Sequence, residues 1–101
     1  MSPGHGSAAH PESPELARLR NRIEQTDRDI VDLVKRRVEL ALEAGRLKRL
    51  IGAPVFDPER EREVEHLVLD YATQSGLDES HMRLVVRGLI ALARSSQEKE
   101  P

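Results

Sequence analysis

The chain has no cysteine and no tryptophan, one phenylalanine (Phe56), one tyrosine (Tyr71) and no long apolar run. Without cysteine there is no disulfide framework, no thiolate nucleophile and no Cys-type zinc site. The longest uninterrupted apolar stretches are a few residues, far short of a membrane span. With 2% aromatics, a core has to come from Leu, Val, Ile and Ala, and 101 residues make one domain. An excess of one charge is also missing, since 34% of the residues are charged yet the net charge is −2. A general grip on nucleic acid needs a strong positive excess, so that class is disfavoured. The first residues, MSPGHGSAAHPESP, have neither a basic start nor an apolar signal core, and the expectation is a soluble cytoplasmic protein.

What remains is helical punctuation. Residues 1–12 are rich in Ser, Pro, Gly, Ala and His without periodicity and read as a disordered N-terminal arm. Ser13-Pro14-Glu15 supplies an N-cap, a proline suited to the first helical position and an acid in the first turn. The stop comes at Gly52-Ala53-Pro54, and Asp57-Pro58-Glu59 repeats the start signal for a second helix. That helix ends at Ser75-Gly76, where glycine suits a left-handed cap. Leu77-Asp78-Glu79 opens a third, which runs to about Gln97. No run alternates with period two. The fold class is all-α: three helices, the first very long, in a helical domain over 13–97 with a polar tail at 98–101.

The first helix carries a heptad seam of Leu16, Leu19, Ile23, Thr26, Ile30, Leu33, Arg37, Leu40, Ala44, Leu47 and Ile51. Thirty-eight residues at 1.5 Å each span roughly 57 Å, whereas a compact 100-residue globule has a radius of gyration of about 13 Å. Such a helix outruns any core its own chain can build, and a second copy is expected to cover it.

Arg37 stands at a core position of that seam, where an unpartnered guanidinium costs several kcal/mol. Polar seam residues often only fix register. Lys48, however, lies eleven residues on, close to three turns, so both cations point to nearly one side about 16 Å apart. Two cations facing one space suit a guest with negative charge at more than one point. Arg20 lies about 25 Å from Arg37 and is rotated roughly 100°, so one helix cannot bring both to one small molecule. Helices from two chains can.

In the second helix Val64, Leu67, Val68 and Tyr71 define an apolar side that Arg60 and Glu61 extend toward the N-terminus. The plain alternatives are that Arg60 pairs with Glu63 and that Asp57 is only a cap. In the third, a stripe of Met82, Val86, Leu89, Ile90 and Ala93 ends at Gln97, a surface transition or an amide donor to the same cavity. His66 and His81 have no partner at ligand spacing, so no metal is indicated, and no glycine-rich phosphate loop calls for a nucleotide cofactor. Arg outnumbers Lys thirteen to three, and guanidinium suits carboxylate recognition. The chemistry hinted at is binding of a small dicarboxylate.

A long first helix with Arg20, Asp27, Arg37 and Lys48, followed by PVFDPEREREV at 54–64, resembles the all-helical chorismate mutases, whose pattern there is close to P-V-x-D-x-x-R-E. The match runs from about Leu16 to Gln97. The resemblance implies an intertwined homodimer with two sites and no cofactor, rearranging chorismate to prephenate. It implies that Arg37 and the other chain's Arg20 hold the substrate carboxylates, with Arg60 in the same cationic group. Lys48 and Gln97 fall where the family donates to the ether oxygen, and Glu61 with Asp57 where the C4 hydroxyl is recognised. One position departs: Ala93 replaces a hydroxyl residue. That keeps open a 4-amino-4-deoxychorismate mutase, then an isochorismate-pyruvate lyase, and, outside enzymes, a non-catalytic helical dimer.

Overall fold

The computed structural model describes residues 13–101; the arm expected at 1–12 lies outside the described residues. Three helices follow one another, α1 (Pro14–Leu50), α2 (Pro58–Gln74) and α3 (Glu79–Glu98), and there is no strand among the described residues. The chain divides into two units, one ending at Leu33 and one running from Val34 to Pro101.

The first unit contains the opening turns of α1. Ser13 caps them, its hydroxyl accepting from the Leu16 amide at 3.1 Å and its carbonyl from Ala17 at 3.1 Å, with Pro14 where no amide is needed. Thr26 is tolerated in the apolar seam because its hydroxyl donates back to the Arg22 carbonyl at 2.8 Å. Among the described residues this part of the seam is largely uncovered. Ile23 is 60% and Leu33 58% exposed.

The second unit holds the last turns of α1 and a hairpin of α2 and α3. Both α1 and α2 end in the same way. Gly52 (φ 73°) and Gly76 (φ 80°) take the left-handed conformation, which costs glycine nothing. Their amides return to Arg49 and Thr73, while Ala53 and Leu77 return to Lys48 and Ala72. This paired return closes the orphan carbonyls of a helix end. Asp57 and Asp78 cap the starts of α2 and α3, accepting from the amides of Arg60 and His81 at 3.0 Å each.

In the hairpin, Glu61 pairs with Arg94 and Glu65 with Arg87, so rising numbers on one helix meet falling numbers on the other, and the two run antiparallel. Leu69 and Ala72 of α2 and Val86 and Ala93 of α3 are the buried apolar residues among the described ones, Val86 completely so. At the far end the polar tail read at 98–101 is partly tied down. Glu98 still belongs to α3, and the Glu100 carboxylate meets Arg46 Nε at 3.0 Å. No helix among the described residues is long and apolar enough to cross a membrane.

Candidate active site

A cavity of about 300 Å³ lies within the second unit. Arg37 and Lys48 of α1, Asp57, Arg60 and Glu61 at the start of α2, and Gln97 near the end of α3 all line it. Six of the seven side chains expected from the sequence are thus brought together. The seventh, Arg20, belongs to the first unit and is not part of this lining.

The α1 side chains reach the cavity by helix phase: residues 37, 41, 44 and 48 recur at three- and four-residue steps and share one face. Arg37 Nη1 donates to the Leu89 carbonyl at 3.2 Å, so its partner is a backbone oxygen and not the carboxylate that a register-fixing ion pair would need. Lys48 Nζ donates to the Val55 carbonyl at 3.4 Å, the long end of the range. Gln97 Nε2 donates to the Ala41 carbonyl at 2.8 Å. The amide lies against Gly45, where an added Cβ would stand 3.5 Å from it. Gln97 is therefore part of the cavity wall and not merely the point where α3 turns polar.

The α2 side chains are engaged differently. Asp57 is the N-cap that plain sequence reading favours, and its carboxylate also faces the cavity. Arg60 pairs with Glu63 one turn on, again the plain alternative, while still lining the cavity. Glu61 is held by Arg94, whose Nη2 donates to one carboxylate oxygen at 2.5 Å and Nε to the other at 3.2 Å.

Arg94 is the lining residue that the sequence reading missed. Its guanidinium carbon stands 4.1 Å from the centre of the Phe56 ring, a cation–π distance. A signal was present: residues 90, 94 and 97 share one face of α3, so Arg94 follows the apolar stripe toward Gln97. Ala93, where the resembled family has a hydroxyl, presents only a methyl to the wall.

The arrangement gathers four cations (Arg37, Lys48, Arg60, Arg94) and an amide around a space of small-molecule size, with no nucleophile beside a base. Among the described residues no group of three or more His, Asp or Glu is placed to hold a metal. Such a site can bind an anion at several points and place hydrogen-bond donors against an oxygen that gains charge.

Comparison with known proteins agrees. The family model for chorismate mutase type II matches residues 19–98. A 4-amino-4-deoxychorismate mutase of Streptomyces venezuelae is 37% identical over 71 residues, covering 70% of this chain and 69% of its own length. The chorismate mutase of Methanocaldococcus jannaschii is 30% identical over 66 residues, 65% of this chain and 67% of its own. A solved structure of a conserved hypothetical protein from Pyrococcus furiosus superposes with a TM-score of 0.64 at 28% identity, covering 85% of this chain and 99% of that one. With the family match spanning most of α1 and all of α2 and α3, and cationic side chains gathered on one cavity, the chain belongs to the chorismate mutase type II family.

Proposed function

We propose that this protein rearranges chorismate to prephenate. The observation that carries the reading is the convergence of Arg37, Lys48 and Gln97, from two helices, on one cavity with donors that, among the described residues, meet backbone carbonyls. The reaction is a concerted shift: the ether C–O bond breaks as a C–C bond forms between the enolpyruvyl terminus and the ring. No proton, nucleophile or external electron is needed. The enzyme has to hold a flexible side chain over the ring and stabilise negative charge growing on the ether oxygen. The first task is orientational, and Arg37 with Arg60 would serve it by fixing carboxylates. The second falls to Lys48 and Gln97, whose fixed donors need no reorganisation as the charge develops. Asp57 and Glu61 would receive the ring hydroxyl.

Arg20 would complete the carboxylate set from a second copy. Support comes from the seam, where Ile23, Leu33 and Ile51 remain largely exposed in the single chain, and such a stripe needs a partner face. Intertwined dimerisation would cover the seam and bring each Arg20 to the other chain's cavity. Placement in the cytoplasm suits a soluble enzyme of small-molecule metabolism.

A second reading has specific support. Relatives from S. venezuelae and S. pristinaespiralis, the latter 31% identical over 88 residues, bear the name 4-amino-4-deoxychorismate mutase. Parallel turnover assays with chorismate, 4-amino-4-deoxychorismate and isochorismate decide between them. Prephenate formation from chorismate as the fastest reaction is expected. Chorismate inertness with brisk conversion of the amino compound would overturn the first reading in favour of the second.

A further inference from the structure

Among the described residues only two carboxylates line the cavity, Asp57 and Glu61. An amino group on a bound ring can find its counter-charge nowhere else on this lining. Asp57 already accepts the Arg60 amide at 3.0 Å. Glu61 is occupied by both arms of the Arg94 fork, at 2.5 and 3.2 Å, and Arg94 is itself braced against Phe56. Bidentate guanidinium–carboxylate pairing is among the stronger polar contacts, and it leaves Glu61 with lone pairs to accept a hydroxyl but little net charge to draw a cation. An ammonium brought to Glu61 would also meet the positive fork beside it.

We propose that Arg94 is a selectivity residue: by neutralising Glu61 it tunes the cavity toward a ring bearing a neutral hydroxyl and against one bearing an amino group. This deepens the chorismate mutase reading and rests on it. The device is a repulsive element added to an attractive site, a common way to discriminate between isosteric substrates. The pair is only partly buried, with Glu61 28% and Arg94 43% exposed, so exchanging Arg94 has room to be tolerated in the fold.

The test measures kcat/KM for chorismate and for 4-amino-4-deoxychorismate, and Kd for each by calorimetry, in the wild type, Arg94→Met and Arg94→Lys. Arg94→Met keeps an unbranched apolar stem beside Phe56 without the guanidinium and frees Glu61. It is expected to move the amino-to-hydroxyl ratio toward the amino compound by about tenfold or more. Arg94→Lys keeps the charge without the fork and is expected to move it less. An unchanged ratio in both variants, with wild-type circular dichroism, overturns the proposal, as does a wild type that prefers the amino compound with Arg94 in place. Binding of both compounds without rearrangement of either would overturn the mutase reading alone, because the selectivity is then read from the two Kd values.

Discussion

The two sides of the cavity hold their cations in opposite ways. On the α1 side, Arg37 and Lys48 donate to the neutral carbonyls of Leu89 and Val55. On the α2 side, Arg60 and the neighbouring Arg94 are committed to the carboxylates of Glu63 and Glu61. Hydrogen bonds with one ionised partner are weaker than those joining two opposite charges. An incoming carboxylate therefore competes with a neutral carbonyl at Arg37 or Lys48 more readily than with the two-pronged Glu61 carboxylate at Arg94, while the exposed Arg60–Glu63 pair holds only weakly. On the proposed reading the α1 cations are the more available ones, and the Glu61–Arg94 pair holds the shape of the opposite wall.

Removing the available side should have the largest effect. Lys48→Ala is expected to lower turnover by about 10²–10³, the usual loss for one preorganised donor, while sedimentation and circular dichroism stay those of the wild type. Ordinary turnover in that variant would erase the distinction between the two sides. Disturbing the committed side should matter much less. Glu63→Gln frees Arg60 from an exposed pair, and exposed pairs of this kind are worth little. KM is expected to change by less than about fivefold.

A smaller effect is expected between the sides, where Gly45 lies inside α1 against Gln97. A Cβ there would make ordinary van der Waals contact at 3.5 Å, so Gly45→Ala should stabilise the helix by about 0.5–1 kcal/mol, read from thermal unfolding. The smallest effect concerns acid. Hydrogen bonds from the Ser80 hydroxyl and from the His81 backbone and ring push the Asp78 carboxyl down to about 2 from its ordinary 3.8. A group whose folded value is depressed contributes fully above its ordinary value and loses that contribution as the pH falls. Asp78→Asn should accordingly flatten the fall in thermal stability between pH 3.8 and 2.

Helix limits were legible because the caps are local. Ser13-Pro14, Asp57-Pro58 and Gly76 each satisfy or end a helix through residues within a few positions of themselves, and the observed bounds lie at those signals. The pairing of Arg37 with Lys48 was legible for a related reason: eleven residues is a fixed rotation on any helix. The engagement of Glu61 by Arg94 was not, because it joins residues 33 apart across the α2–α3 hairpin and depends on how two helices face each other. The tether of Glu100 to Arg46 is likewise a long-range contact, invisible in a tail that reads only as polar.

Lys48 has a structural contact as well as its proposed role. Its ammonium is the side-chain tie between the last turns of α1 and the Val55 carbonyl in the connection to α2. The ammonium carries three donors, so it can take a ligand oxygen while keeping the Val55 carbonyl, and a filled cavity then fastens the stretch from Ala53 to Phe56 more firmly. Hydrogen–deuterium exchange there should slow with substrate occupancy, making the connector a built-in reporter of whether the enzyme is loaded.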